Sequence, residues 1–370
     1  MTEDNQGKPR RLQSLDTLRG FDMFWIAGGE HLVLALTAAT GWGFMKSVSH
    51  HMHHAEWEGF RFYDLIFPLF IFIMGVAIPF SIGRLKEQGV SHKPIILKLL
   101  RRFFILVVLG ILYNQASATD YSNPRIASVL GQIAFAYLFA ALIFLKTSGL
   151  RSLIIATAVI LIGYGAIQLF VPVPGYGPGV LTQEGSINAF LDQRFTPGKL
   201  LGGTFEPEGV FNNISAIALA LMGVATGLIL KMETVNPYRK VWILVGIGIT
   251  QILLAIALNG WYPIIKMAWT STYNLLAGGI SIILMATFYL FMDVLNYQKY
   301  GFYFKVIGLN SITIYLGWRF IDFGYTSKAL LNPVAGYLGD WSEVLIHTGS
   351  IVLVWFVLYF LYRNRIFLKV

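Results

Sequence analysis

The feature that most constrains this chain is the length of its apolar segments. Blocks of about 20 hydrophobic residues alternate with short polar stretches along most of the 370 residues. An α-helix rises 1.5 Å per residue, so a block of this length crosses the roughly 30 Å of hydrocarbon in a bilayer. Charged residues make up only 13% of the chain, whereas they approach about a quarter in soluble proteins. The sequence therefore predicts an all-α, polytopic membrane helix bundle and not a barrel of amphipathic strands.

The apolar blocks define about ten transmembrane helices. The predicted spans are residues 17–38, 62–83, 99–116, 126–145, 152–171, 212–230, 241–259, 271–292, 304–323 and 343–361. Neither a break in composition nor a regular repeat divides the chain, so a single transmembrane domain is predicted for residues 1–370.

The distribution of basic residues predicts the orientation. Of the 28 lysines and arginines, 19 lie on the cytoplasmic side if the N-terminus is inside, among them Lys8, Arg10, Arg11 and Lys369. Cytoplasmic loops of membrane proteins carry such an excess. We therefore expect both termini in the cytoplasm, the lipid bilayer of the cell inner (plasma) membrane as the surroundings, and no nucleic-acid partner despite the net charge of +9.

The chain contains no cysteine, which narrows its chemistry. Disulfides, thiolate metal sites and a cysteine nucleophile are all excluded. Any group transfer must therefore use other side chains.

The first predicted span carries ionisable residues where a membrane helix is otherwise apolar. Asp16, Arg19 and Asp22 are spaced three residues apart, so an intrahelical ion pair near the cytoplasmic end is expected. Glu30 and His31 lie further toward the outer side, where an unpaired carboxylate is costly. A functional cavity at Glu30 is favoured over a packed, hydrogen-bonded glutamate, whereas His31 alone is expected to be structural.

Histidine is concentrated just before the second span. Four of the seven histidines and two glutamates lie in the sequence HHMHHAEWEG at residues 50–59. An imidazole can act as a base near neutral pH. Such a tract can also bind metal or form a solvated loop, and spacing alone does not decide. Asp64 follows at the outer end of the second span, where it either reaches the interface or hydrogen-bonds and orients an imidazole.

Several segments spread along the chain form a pattern. In the N-terminal half they are SLDTLRG at 14–20, HAEWEG at 54–59, DLIFP at 64–68 and FIFIMG at 70–75. Later segments are Arg125-Ile126, Pro207-Glu208-Gly209-Val210, Trp269 to Tyr273, and Gly308-Leu309-Asn310-Ser311 with Tyr315. With these motifs the chain resembles the transmembrane heparan-alpha-glucosaminide N-acetyltransferase family and its bacterial relatives over nearly its whole length.

This resemblance implies an acetyl-CoA-dependent N-acetyltransferase, a transmembrane acyltransferase. It would move an acetyl group from cytoplasmic acetyl-CoA to the amine of a glucosamine-type sugar on the outer (periplasmic) side. The resemblance implies His54 as the catalytic histidine, and we add Asp64 and Glu30 as catalytic candidates. A neutral imidazole either deprotonates the attacking ammonium or carries the acetyl group, and the sequence does not separate the two.

The same resemblance suggests residues that bind the substrates. Arg102 matches a family arginine and, with Arg101 and Arg19, is a candidate to bind the phosphates of acetyl-CoA. Positive-inside topology explains Arg101 and Arg102 equally well. The matched segments supply Glu208, Trp269 and Asn310 as candidates to bind the amino sugar. No metal enters this interpretation, and a homodimer is left open.

Glu30 departs from the family pattern, because it aligns with a family asparagine near the reacting group. An amide can donate a hydrogen bond to a developing oxyanion, whereas an ionised carboxylate would repel it. Glu30 is therefore protonated, or it binds the amino group or acts as a base, or the substrate differs.

Two other functions compete with this interpretation. A membrane O-acyltransferase of cell-envelope sugars would need a base but no amine. A small sugar or anion transporter would explain the intramembrane acids and histidine, but the sequence shows neither inverted repeats nor a pair of broken helices.

Overall fold

The computed structural model of the protein describes residues 12–116, 121–147 and 149–368. Lys8, Arg10, Arg11 and Lys369, which enter the charge argument, lie outside these described residues. The orientation of the termini stays a prediction.

The regular secondary structure of the described residues is helical. Extended segments are joined only by isolated bridges. In chain order the helices are α1 (Gln13–Phe24), α2 (Glu30–Thr40), α3 (Gly43–His50), α4 (Tyr63–Glu87), α5 (His92–Gln115), α6 (Val129–Lys146), α7 (Leu150–Phe170), α8 (Ile187–Phe195), α9 (Val210–Lys231), α10 (Pro237–Leu258), α11 (Ser271–Tyr289), α12 (Phe302–Leu309), α13 (Ser311–Phe320), α14 (Phe323–Ala335) and α15 (Ser342–Arg363). Short π-helical segments at Trp25–Gly29 and Leu290–Val294 follow α1 and α11, and a 3-10 turn, Gly339–Trp341, precedes α15.

Eight helical segments within the described residues are long and apolar enough to cross a bilayer. They are Gln13–Thr40, Tyr63–Glu87, Val129–Lys146, Leu150–Phe170, Val210–Lys231, Pro237–Leu258, Ser271–Val294 and Gly339–Arg363. The predicted class, a polytopic all-α membrane protein, is confirmed.

Two of the predicted spans differ from this set for identifiable reasons. The span expected at 99–116 is part of α5, which also carries Lys98, Arg101 and Arg102. Only residues 103–115 of that helix are free of charge, which is short of the ~20 apolar residues that a span needs. The span expected at 304–323 is divided into α12 and α13, because Asn310 between them has φ −124° and ψ 35°.

The first span is also interrupted. Within the π-helical segment after α1, Ala27 and Gly28 leave helical geometry, and Gly28 has φ +113°. This left-handed conformation favours glycine. A Cβ at Gly28 would lie 3.2 Å from the Trp318 ring and 3.1 Å from the Ile351 side chain. The interruption makes Glu30 the first residue of a new helix, α2.

The described residues divide into two compact units. Unit 1 comprises residues 12–54, 61–66 and 287–368, and unit 2 comprises residues 55–60, 67–116, 121–147 and 149–286. The single transmembrane domain expected for residues 1–370 stays a prediction.

The helices of unit 1 approach closely where α1 crosses α12. A Cβ at Gly20 would lie 1.7 Å from the Phe304 carbonyl oxygen, and one at Gly308 would lie 1.9 Å from the Asp16 carbonyl oxygen. Small residues permit such backbone contact between membrane helices. These two glycines therefore determine how α1 and α12 pack.

Candidate active site

His54 and Asp64 form an imidazole–carboxylate pair in unit 1. His54 Nδ1 lies 2.8 Å from Asp64 Oδ1, and the other carboxylate oxygen accepts the Arg61 backbone N–H at 2.9 Å. The Asp64 side chain is fully buried, while 43% of the His54 side chain is exposed. A carboxylate can only accept, so Nδ1 carries the proton in the neutral imidazole and Nε2 is its basic nitrogen.

The local fold explains why these two residues meet. Asp64 lies in the first turn of α4, where a carboxylate interacts favourably with the helix dipole. The Arg61 guanidinium donates to the His54 carbonyl at 2.8 Å, and the Tyr63 backbone N–H donates to the His51 carbonyl at 3.0 Å. These bonds fix the histidine loop against the start of α4.

The remaining histidines of the tract have different surroundings. His50, His51 and His53 are exposed, and the rings of His50 and His51 meet edge to face at 5.8 Å. Across residues 12–116, 121–147 and 149–368, no group of three or more His, Asp and Glu side chains is placed to hold a metal ion. His54 is therefore distinguished from its neighbours by its bond to a buried acid.

Glu30 and His31 are less enclosed than the sequence suggested. Glu30 is half-buried and His31 is exposed, because the interruption at Gly28 starts a new helix just before them. The His31 ring lies 5.5 Å from that of His347, whose Nε2 is 3.6 Å from a Glu343 carboxylate oxygen. His31 is thus part of a polar cluster in unit 1.

This cluster borders a cleft of about 440 Å³ that the sequence did not reveal. Its polar lining includes His31, Arg319, Asp322, His347 and Ser350. These residues come from three distant parts of the sequence, so no local motif could have indicated the cleft.

Unit 2 contains a second ionic site, where Arg125 from the connection before α6 meets acids of the long segment between α7 and α9. Arg125 Nε donates to Glu206 at 3.0 Å, and Arg125 Nη2 contacts both Glu206 and Glu208. Glu206 also accepts the Leu201 backbone N–H at 2.9 Å. Asp192 is buried beside them and accepts the Glu206 backbone N–H at 2.9 Å.

One guanidinium cannot neutralise three buried carboxyl groups, and their pKa values separate accordingly. Burial raises the pKa of Glu208 to about 8, and the adjacent Glu206 adds to this effect against the Arg125 charge. Burial also raises the pKa of Asp192 to about 7. Burial opposes ionisation of Glu206 too, but the Arg125 hydrogen bonds outweigh it and hold that pKa below its usual value. Glu206 is therefore the ionised partner of Arg125, and Glu208 holds a proton near neutral pH.

The other predicted binding residues have varied surroundings. Trp269 is buried, and its ring centroid lies 5.6 Å from those of Phe67 and Tyr273. Asn310 is buried and donates to the Ile366 carbonyl at 3.2 Å. Both side chains therefore make contacts within the protein.

The predicted arginines also differ from one another. Arg101 is exposed, while Arg102 lies over the Tyr137 ring at 4.2 Å from its centroid. Arg19 lies 3.5 Å from Asp16, as expected for the intrahelical ion pair.

The predicted site residues thus divide between the two units. His54, Asp64, Glu30, Arg19 and Asn310 belong to unit 1, and within this group a hydrogen bond joins His54 to Asp64. Arg101, Arg102, Glu208 and Trp269 belong to unit 2. Sequence reasoning missed the partnership of Glu208 with Arg125 and Glu206, although all three lie in or beside the motifs quoted above.

Fold and site together define a multi-pass membrane protein with an accessible imidazole held by a buried carboxylate. A family described as "Domain of unknown function (DUF5009)" matches residues 11–176. The chain is 25% identical to human (Homo sapiens) heparan-alpha-glucosaminide N-acetyltransferase over 98% of this chain and 60% of that protein. It is 24% identical to the mouse (Mus musculus) protein over 100% of this chain and 62% of that protein. The resemblance inferred from the motifs is confirmed, and the chain spans about 60% of the length of these curated relatives.

Proposed function

We propose that the protein is a transmembrane acetyltransferase that uses cytoplasmic acetyl-CoA and acetylates the amine of a glucosamine-type sugar on the outer side of the inner membrane. The observation that carries the proposal is the 2.8 Å bond between His54 and the buried Asp64. Similarity to N-acetyltransferases along the chain supports the reaction class.

The pair suits the proton chemistry of this reaction. An ammonium group and acetyl-CoA give an amide, free CoA and one released proton. His54 Nε2 accepts a proton from the ammonium before the amine attacks the thioester carbon, or it attacks that carbon and passes the acetyl group on. In either route Asp64 orients the ring and stabilises the imidazolium that forms.

The residues present fit the donor. Arg102 Nε is buried without a hydrogen-bond partner among the described residues, and its guanidinium is held over Tyr137. A guanidinium with an unused N–H donor suits phosphate. Arg101 is exposed nearby in sequence and can add to this site. Arg19 is already close to Asp16, so we expect it to contribute less to acetyl-CoA binding than Arg102.

For the acceptor we assign Glu30 and Glu208. Glu30 is half-buried at the start of α2, and an amine supplies the cation that a carboxylate in a membrane needs. Glu208 shares the guanidinium of Arg125 with Glu206 and can bind the sugar through hydrogen bonds. Because Trp269 and Asn310 are engaged within the protein, we assign them to shaping the site.

Glu30 can be tested by removing its charge. If it is ionised and holds the ammonium, Glu30→Gln loses activity and binds amino sugars more weakly. If it is protonated and replaces the family amide, the variant keeps much of its activity with a flatter pH dependence. Rate against pH with glucosamine separates the two, and an unchanged variant at every pH would remove Glu30 from the mechanism.

The whole proposal is tested with purified protein, acetyl-CoA, and a panel of amino sugars and alcohols. We expect CoA release that depends on an amino sugar, with an N-acetylated product. Acetylation of hydroxyl groups instead would identify a membrane O-acyltransferase. The absence of CoA release with every acceptor would exclude both.

A second candidate, a small sugar or anion transporter, gains support from the interruptions at Gly28 and Asn310. Broken helices inside the membrane are typical of transporters. Uptake of labelled sugar into proteoliposomes without acetyl-CoA would favour this function over acetyl transfer.

A further inference from the structure

Asp22 is a buried acid that the proposed chemistry does not use. It lies on α1 within the first span, its exposure is 0%, and neither carboxyl oxygen has a hydrogen-bond partner among the described residues. The cation whose charge acts on it is Arg19, which lies 3.5 Å from Asp16. An unmatched carboxyl group inside a membrane protein is costly and indicates a functional site.

Two further polar groups of unit 1 are in the same situation. Trp25 Nε1 and Thr313 Oγ1 are buried and have no hydrogen-bond partner within the described part of the chain. Trp25 follows Asp22 by three residues, which places the two side chains on neighbouring positions of one helix face. An indole N–H and a carboxyl group one turn apart provide a donor and an acceptor.

Thr313 lies on α13, which packs against α1. Gly308 packs between Asp16 and Gly20, while Trp318 packs on Gly28. The segment from α12 to α13 therefore runs parallel to the first span. Thr313 lies on this segment between Gly308 and Trp318, and Asp22 and Trp25 lie on the first span between Gly20 and Gly28.

Three aromatic rings pack around Trp25. Its ring lies 5.9 Å from Phe21, 5.3 Å from Phe24 and 5.0 Å from Phe62, in each case edge to face. These contacts hold the indole in place, and its N–H has no hydrogen-bond partner among the described residues.

We propose that Asp22, Trp25 and Thr313 bind the amide groups of the pantetheine arm of acetyl-CoA. A secondary amide offers one N–H donor and one carbonyl acceptor, which complements a carboxyl group, an indole N–H and a hydroxyl. A phosphate would find only two weak donors there and a carboxyl group beside them. This inference rests on the proposed function and assigns residues to one part of the donor.

The depth of the site agrees with this assignment. In the predicted orientation the first span runs outward from Gln13, and Asp22 lies roughly 14 Å along it at 1.5 Å per residue. A donor whose nucleotide stays at the cytoplasmic surface must pass its pantetheine arm through the bundle at such a depth. The arm's amides would otherwise lose their hydrogen bonds in apolar surroundings.

The test is equilibrium binding to the full chain in detergent, measured by calorimetry with two ligands. The ligands are acetyl-CoA and adenosine 3′,5′-bisphosphate, which has no pantetheine. We expect Asp22→Leu to weaken acetyl-CoA binding roughly 10-fold or more, and Trp25→Phe and Thr313→Val to weaken it about 5-fold each. Binding of the bisphosphate should not change. Asp22→Asn, which keeps a donor and an acceptor, should stay within about threefold of wild type.

Thr226→Val is the matched control, because the buried Thr226 hydroxyl already donates to the Met222 carbonyl at 2.9 Å. It should leave both affinities unchanged. Wild-type acetyl-CoA affinity in all three variants would overturn the inference while leaving the proposed function intact. An equal loss of both ligands would overturn it in favour of a structural role. A wild-type protein that does not bind acetyl-CoA would overturn both.

Discussion

The His54–Asp64 pair of unit 1 and the Arg125 cluster of unit 2 both contain a buried acid with a basic partner. They differ in how far the side chains are exposed. In the first, a buried acid holds an imidazole that is 43% exposed. In the second, Arg125 is 20% exposed, Glu208 is 10% exposed and Glu206 is fully buried. The imidazole of the first region is accessible, whereas the charged groups of the second are largely buried.

From this difference we expect a catalytic role for the His54–Asp64 pair and a structural role for Arg125. An imidazole that is oriented on one side and accessible on the other can exchange protons and acyl groups with a substrate. A guanidinium paired with a buried carboxylate and shared with a second carboxyl group holds a loop in one conformation, because removing one ion of the pair leaves an uncompensated charge. We therefore expect substitutions at the His54–Asp64 pair to change the rate and substitution of Arg125 to change stability.

The largest expected effect is that of His54→Ala on the rate of acetyl transfer. Loss of the base or acetyl carrier should lower the rate by roughly 10²- to 10⁴-fold. Acetyl-CoA binding should be retained, since His54 is not among the proposed phosphate or amide ligands. His50→Ala and His51→Ala are the controls, and they should change the rate little. Equal losses in all three variants would show that the tract acts as a unit.

The next effect tests the other region through stability. Arg125→Met should destabilise the protein by about 3–5 kcal/mol, because Glu206 stays buried without its counter-ion. Arg125→Lys should recover only part of this, since an ammonium lacks the planar fork with which the guanidinium contacts both Glu206 and Glu208. Unfolding in detergent measures the change. The control is Arg194→Met, because that exposed arginine lies over Phe190 and pairs with no carboxylate in the bonds described here. Matching curves for the two Met variants would contradict an architectural role for Arg125.

Asp64→Asn tests whether the buried acid of the first site acts on the rate or on stability. The amide cannot stabilise an imidazolium as a carboxylate does, and a small change in ring position is costly, so the rate should fall roughly 10²-fold. Thermal stability should fall less than in Arg125→Met. The measurement is kcat with saturating acetyl-CoA and amino sugar. A variant with normal kcat and lowered stability would show that Asp64 has a structural role and not a catalytic one.

The smallest expected effect, counted per pH unit, is the change of stability with pH at Asp192. Burial raises its pKa to about 7, so the folded protein binds this proton more tightly than the unfolded chain. The resulting stability is complete below about pH 4 and is lost as the pH rises to about 7, by at most about 1.4 kcal/mol per pH unit. Asp192→Asn should therefore flatten the curve of Tm against pH between these values. Parallel curves for the variant and wild type would contradict the raised pKa.

Much of this molecule could be predicted from local sequence. The apolar blocks identified the membrane class, because the length of a span follows directly from bilayer thickness and helix rise. The motifs named His54 and Asp64, and the three-residue spacing anticipated the contact of Arg19 with Asp16. Each of these inferences depends on neighbours in sequence or on a recognised motif.

Local sequence was thus enough to identify a membrane protein, its helical secondary structure and the residues able to do chemistry. Which of these residues meet depends on the packing of the helices. Gly28 and Asn310 interrupt predicted spans because of their backbone geometry, which hydropathy does not register. Glu206 and Glu208 share Arg125, some 80 residues away, and α1 packs closely on α12 at Gly20 and Gly308. Such long-range contacts depend on how whole helices pack, and no local pattern in the chain records that.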